Sequence, residues 1–251
     1  LNFLRQKISG IAMRLQCYAY GITYFRNKDF TIPSSLRING HKKKLRFVDT
    51  ASSAFLYEFT EICLQDCYRL KMLKKQLNSI TNVVDIGANQ GLFAIAARRH
   101  FAKAAIACYE PNPALEPILA LNTTSLDADV FYEAVTREDC KISLSFGETD
   151  LNTVAKPDEM GEITGVSLRK VIERAGGNID ILKLDCEGGE WAIMEDIASW
   201  KKIRSVTMEY HLWARPGSTV AEIKERIGQL GFRIISHNPV SEQFGLLAAV
   251  K

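Results

Sequence analysis

From Thr81 onward, short apolar runs alternate with stretches of helical period. Val83–Ile86, Ala105–Tyr109, Val130–Ala134, Ile179–Leu184, Val206–Tyr210, Phe232–Ser236 and Leu246–Val250 read as strands. Gly91–His100, Pro113–Leu121, Ser167–Ala175, Glu190–Ile197 and Thr219–Leu230 read as helices between them. Gly176-Gly177 and Gly231 stand where C-terminal helix caps are needed. Strands taking turns with helices predict an α/β fold, with a mainly parallel sheet covered on both faces. Lys141–Phe146 suggests one further short strand. The polar stretch from Gly147 to Gly165 reads as a long loop.

The first 80 residues have a different texture. Leu4, Ile8, Ile11, Leu15, Tyr18 and Ile22 follow spacings of four and three, which predicts one apolar stripe on an amphipathic helix. Such a stripe suits docking on the chain's own core. It also suits a homodimer, a membrane surface or a cap over a substrate site. Asn39-Gly40 predicts a hairpin turn, and His41 and Lys42–Lys44 make its far side basic. Ala54–Leu77 reads as one long helix. The division expected is an N-terminal helical and hairpin extension, 1–80, and a main domain, 81–251.

Charge and cysteine content narrow the field. A formal charge of +3 over 251 residues gives no case for nucleic acid as a partner. No apolar run is long enough for a transmembrane segment. Arg5, Lys7 and Arg14 interrupt any signal-peptide core. Six cysteines without a disulfide-framework spacing point to a reducing, cytoplasmic setting. Cys63 and Cys67 share a helix face and read as packing residues.

The chemistry concentrates at the ends of the strands. Asp85 closes an apolar run and is followed by Gly87, Ala88, Asn89 and Gly91. A carboxylate there costs free energy unless something uses it. The bland use is a turn or helix-cap acid. The dinucleotide fingerprint fails, because Asn89 and Leu92 stand where two of its glycines belong, and no phosphate-loop Gly-Lys-Ser/Thr follows. A positively charged ligand near this turn fits better. Glu110 ends the second strand, where an acid can accept hydrogen bonds from both hydroxyls of a ribose. Glu133 ends the third, beside the place for an adenine. Adenine, ribose and a cationic tail together describe S-adenosyl-L-methionine.

The segments "VVDIGANQGLFAIAA", "CYEPNP", "GVSLRKVIE" and "IDILKLDCEGGEWAIM" resemble the FkbM family of S-adenosylmethionine-dependent methyltransferases, from Thr81 to Lys251. The resemblance implies a Rossmann-like class I fold, with a seven-stranded mainly parallel sheet and an antiparallel last strand. It implies O-methylation of a small-molecule or glycan hydroxyl acceptor. It assigns Asp85, Gly87, Ala88, Asn89 and Gly91 to the cofactor loop and Glu110 to the ribose, with Asn112 and Glu133 on the adenine side.

Methyl transfer to an alcohol needs alignment and a nearby base. Asp185, Glu187 and Glu190 follow the fourth strand; Glu209 and His211 end the fifth. His211 is the expected base, since histidine titrates near neutrality. Asp185 is expected to orient the acceptor or the cofactor amine, with Glu209 beside it. These oxygen and imidazole donors could also hold a divalent metal, though the preferred reading has none. A nucleic-acid methyltransferase is disfavoured, because Asp185-Cys186-Glu187-Gly188 replaces the usual Asp/Asn-Pro-Pro-aromatic tetrad. A non-catalytic cofactor-binding protein of the same fold is the other class considered.

Overall fold

A computed structural model describes residues 2–24, 30–48, 50, 52–146 and 153–251. The N-terminal part holds α1 (Asn2–Tyr20), the antiparallel pair β1 (Ser35–Ile38) and β2 (His41–Lys44), α2 (Ser53–Phe59) and α3 (Leu70–Gln76). Next come β3 (Asn82–Ile86), α4 (Leu92–His100), β4 (Ala105–Tyr109), α5 (Glu116–Leu126), β5 (Asp129–Phe131), β6 (Ala134–Thr136), β7 (Cys140–Phe146), β8 (Thr153–Pro157) and β9 (Ile163–Ser167). The chain finishes with α6 (Leu168–Arg174), β10 (Ile181–Leu184), α7 (Glu190–Ile193), α8 (Ile197–Trp200), β11 (Ser205–His211), α9 (Val220–Gln229), β12 (Arg233–Pro239) and β13 (Phe244–Val250).

Seven strands form the central sheet in the order β12-β13-β11-β10-β3-β4-β5. Pairing is parallel from β11 through β5, while β13 runs antiparallel to both β11 and β12. Strand alternation divides the core. Val83 and Ile181 face the layer built by α1, the hairpin and α2 to α4. Val84, Ile86, Leu182 and Leu184 face α6 to α9. Asp85 and Lys183 are register partners in β3 and β10, so both side chains point toward the N-terminal layer.

Four expectations need correction. Residues 54–77 are not one helix: α2 runs into a wide turn at Thr60–Leu64, and Asp66 and Arg69 then adopt left-handed backbone, each with φ 59°. The Asp66 carboxylate accepts from the N–H groups of Leu70 and Lys71, which starts α3 afresh. Within 147–165, residues 147–152 lie outside the described set, but β8 and the start of β9 are strands. With β6 and β7 they form a separate sheet in the order β6-β9-β7-β8. The helix expected at 190–197 is two short ones, because Asp196 caps α8 by accepting from Ser199 N–H. Lastly, of the predicted stripe Ile11, Leu15 and Tyr18 face outward and Ile22 is buried, while Cys17 and Tyr20 of α1 are seated on the core; the side chains of Leu4 and Ile8 lie outside the described set.

The hairpin behaves as expected, with Asn39 and Gly40 both at positive φ. Gly177 and Gly231 likewise end α6 and α9 in left-handed conformation.

Candidate active site

The loop after β3 is folded by its own backbone. The N–H groups of Gly87 and Ala88 both donate to the carbonyl of Tyr109, 3.0 Å away. Gly87 has φ +76°, and a Cβ on it would fall 1.7 Å from the carbonyl oxygen of Asp185. Glycine is therefore required twice over, by conformation and by the close crossing of the turn after β10. Gly91 begins α4 at φ +87°, its open side against Leu119 of α5.

Asp85 does not line the cleft. It is fully buried, and its partner is Lys183, whose Nζ lies 3.1 Å from Asp85 Oδ1. The contact is an ion pair without good hydrogen-bond geometry, since neither carboxylate oxygen has a hydrogen-bonding partner. The ammonium donates instead to the carbonyls of Ile86 and Gly87 and reaches Asp185 Oδ2 at 3.6 Å. Burial pushes the Asp85 carboxyl up to about 6 against the pull of Lys183. Burial opposes the charge on Lys183, but Asp85 and Asp185 outweigh it and hold the ammonium above its ordinary range. The cation that Asp85 meets is the chain's own, and together they pin the loop from beneath.

Glu110 does line the cleft. One carboxylate oxygen accepts from Asn89 N–H and the other from Asn112 N–H, each at 2.9 Å. Burial raises this acid, and the two backbone donors oppose that rise. Asn112 caps the next turn by accepting from Ala114 N–H. Glu133 reaches the same cleft, but both its oxygens are held by Arg174, whose guanidinium lies 4.6 Å over the Phe131 ring. This engagement leaves it a poorer adenine partner than its position suggests. A cavity of about 480 Å³ opens here, walled by Gly87, Asn89, Glu110, Asn112, Val135 and Cys186 among others. That volume suits a nucleoside-sized ligand. Each oxygen of Glu110 keeps lone-pair capacity for a ribose hydroxyl.

A second cavity, about 550 Å³, meets the first across Gly87, Asn89, Asp185 and Glu187. Glu58, Tyr68, Glu209, His211, Trp213 and Phe244 help wall it. Asp185 accepts a 2.7 Å hydrogen bond from the Tyr68 hydroxyl. Glu190 is wholly buried and faces neither cavity. Its carboxylate gathers the N–H groups of Cys186 and Gly188, and one oxygen lies 3.3 Å from His211 Nδ1. The other ring nitrogen of His211 faces Glu209 at 3.4 Å and Glu187 at 3.7 Å.

His211, the expected base, is thus surrounded by acids. Burial works against its charge, but hydrogen bonds to Glu190 and Glu209 prevail and push it up to about 11. Acids packed around the ring favour its charged form, in which it has no lone pair to offer. The neighbouring acids move toward neutrality. Burial, with Asp185 and Glu209 nearby, lifts Glu58 to about 7, and burial lifts Glu187 to about 7 despite His211. Glu209 is raised in the same way, mainly by burial. Donor atoms of Asp185, Glu209 and His211 lie within 4.8 Å of one another, and the Lys183 ammonium already brings positive charge to that corner.

Sequence reasoning missed Lys183, Tyr68 and Glu58. Lys183 had a signal: a lysine inside the apolar run "ILKL" is as anomalous as Asp85. Tyr68 and Glu58 had none, because only the fold brings the N-terminal layer to the strand ends.

The strand order, the lone antiparallel strand within the central sheet and the cleft at the carboxyl ends of β3 and β4 define a class I methyltransferase. The family profile described as Methyltransferase FkbM domain matches residues 85–234, and the chain belongs to that family. Its cofactor is S-adenosylmethionine. Methyltransferase sdnD of Sordaria araneosa is 25% identical over an alignment covering 80% of this chain and 91% of that protein. Among solved structures, magnesium protoporphyrin IX methyltransferase from Synechocystis PCC 6803 is similar at a TM-score of 0.47 and 14% identity, over 80% of this chain and 85% of that one. Precorrin-6y C5,15-methyltransferase from Geobacter metallireducens GS-15 is similar at a TM-score of 0.45 and 13% identity, over 74% and 88%.

Proposed function

We propose that this methyltransferase acts on oxygen, transferring a methyl group to a hydroxyl of a sugar, glycan, lipid-linked or secondary-metabolite acceptor. The observation that carries the reading is the Glu209 carboxylate. It stands at the end of β11 beside the second cavity, which meets the nucleoside-sized cavity across Gly87 and Asp185. An alcohol is a poor nucleophile until a base takes its proton, and this is where one is needed.

S-adenosylmethionine, when bound, supplies an electrophilic methyl group. Glu110 holds the ribose hydroxyls, while Gly87, Ala88 and Asn89 shape the cofactor loop and Asn112 flanks the adenine side. Asp185, fixed by Tyr68 and Lys183, orients the acceptor hydroxyl or the cofactor amine. Glu209 accepts the hydroxyl proton, and the imidazolium of His211 holds Glu209 in place. The positive charge in this scheme comes from Lys183 and His211, so no metal is assigned a role. Six free cysteines suit a reducing compartment such as the cytoplasm.

Incubating the protein with methyl-labelled S-adenosylmethionine and a panel of sugars, glycans, lipid-linked sugars and hydroxylated metabolites tests the reading. A base-stable methyl ether on one acceptor class supports it. Label appearing only on nitrogen, sulfur or nucleic acid overturns it, and cofactor binding without turnover on any acceptor favours a non-catalytic binding protein.

A further inference from the structure

The outward stripe of α1 sits beside a row of basic side chains. Ile11, Leu15 and Tyr18 are 60%, 64% and 72% exposed, and their spacing makes them one ridge along the helix. Cys17 and Tyr20 fix that orientation by being buried. In β1, Arg37 points outward between buried Leu36 and Ile38. Lys42 is its register partner in β2, and Lys44, two residues on, is exposed on the same side. The Arg37 guanidinium lies 6.0 Å from the Tyr18 ring, so ridge and row are neighbours. Arg14, also exposed, projects from α1 itself.

Charge is concentrated in this part of the chain. Residues 1–50 carry ten lysines and arginines against two aspartates, whereas the whole chain has a net charge of only +3. The rest of the chain therefore carries a net negative charge, and the basic character belongs to the N-terminal sequence that includes the ridge.

We propose that this face docks on an anionic lipid bilayer. The α1 ridge would enter the headgroup boundary, with Arg37, Lys42 and Lys44 over the phosphates. Apolar side chains give an amphipathic helix its insertion energy, and basic neighbours give it preference for anionic lipid. Tyrosine is at home in that interface, its ring apolar and its hydroxyl wet. Among the described residues no helix is long and apolar enough to cross a membrane, so the contact is peripheral. A second copy is the poorer occupant. A twofold dimer sets the same patch against itself and brings basic row toward basic row. Nucleic acid would use the row but gain nothing from Ile11 and Leu15.

Lipid docking is independent of methyl transfer and is measured apart from it. The full chain is co-sedimented with vesicles of phosphatidylcholine alone and of phosphatidylcholine mixed with phosphatidylglycerol. Partition into the anionic vesicles, weakened by added salt, is expected, with little into neutral ones. An Arg37→Gln, Lys42→Gln, Lys44→Gln variant should lose roughly fivefold in partition for each charge removed. An Ile11→Ser, Leu15→Ser, Tyr18→Ser variant should lose at least about tenfold. Unchanged melting temperature and S-adenosylmethionine affinity show that both variants are folded. Absent partition, equal partition into both vesicle types, or variants that bind like the parent overturn the proposal. So does a dimer that the apolar variant splits and that has no affinity for lipid.

Discussion

Asp85 and Lys183 stand opposite each other on adjacent parallel strands, both buried, with 3.1 Å between carboxylate and ammonium. Removing one partner of such a pair strands the other charge in the core, which costs roughly 3–5 kcal/mol. Lys183→Met should therefore lower unfolding free energy by that amount in urea titrations. The double variant Asp85→Leu, Lys183→Met should recover most of the loss. A double variant less stable than the sum of the two singles would show that the pair does more than neutralise itself.

Stability should fall as the pH rises from about 5 to 8. The folded-state values of Glu58 and Glu187, near 7, and of Asp85, near 6, lie above their ordinary ones. So does that of His211, near 11. A group whose folded value is raised contributes fully below its unfolded value and loses that contribution as pH climbs through the folded one. For the acids the loss runs from roughly pH 4 to 7, and for His211 from about 6.5 to 11; His100, held down to about 4 by burial, works the other way up to about pH 6.5 and is outweighed by the three acids. Melting temperatures across this range check the sign. Glu58→Gln should flatten the slope near neutrality, and a melting temperature that rises from pH 5 to 8 would contradict these assignments.

The division of labour between Glu209 and His211 is measurable separately. Glu209→Gln should lower kcat by about 10²–10⁴-fold and leave cofactor affinity unchanged. The His211 ring should stay protonated above pH 9 by NMR. A histidine signal that titrates near pH 6.5 would return the base role to His211.

Gly87 and Gly91 make a paired test of the loop. Gly87→Ala drives a Cβ into the Asp185 carbonyl at 1.7 Å, so β3 and the turn after β10 must separate. At Gly91 the new atom meets the end of the Leu119 side chain at 3.4 Å and Asn122 Cβ at 3.8 Å, both ordinary contacts, though φ is positive there too. Gly91→Ala should cost about 1 kcal/mol, and Gly87→Ala several times more together with cofactor binding. Circular dichroism melts and cofactor titrations compare them. Equal costs at the two positions would mean that the close crossing does not matter.

Much of the fold could be read from period alone, because each parallel strand of the sheet is a short apolar run closed by a turn signal. Strand ends therefore located Glu110, Asp185, Glu209 and His211. The partners of those groups were not legible. Asp85 reads as a ligand-facing acid because its cation, Lys183, is almost 100 positions away. His211 reads as a base because Glu190 looks like a helix-start residue, whereas the turn after β10 carries that carboxylate under the imidazole. In the same way α1 has the right period but, from Gly10 to Tyr20, a different buried face from the one expected. Tyr20 and Cys17 fit the core, and periodicity cannot tell which of two apolar edges the tertiary structure will cover.

The cleft at Glu110 is the claim on which the rest depends, and calorimetric titration addresses it directly. The parent protein should bind S-adenosylmethionine. Glu110→Ala should weaken that binding by roughly tenfold or more, as expected for loss of a charge-assisted hydrogen bond, while a cooperative melt, at a temperature lowered by the two stranded N–H donors, shows that the variant still folds. Equal affinity in the two proteins would place the cofactor elsewhere and contradict the account.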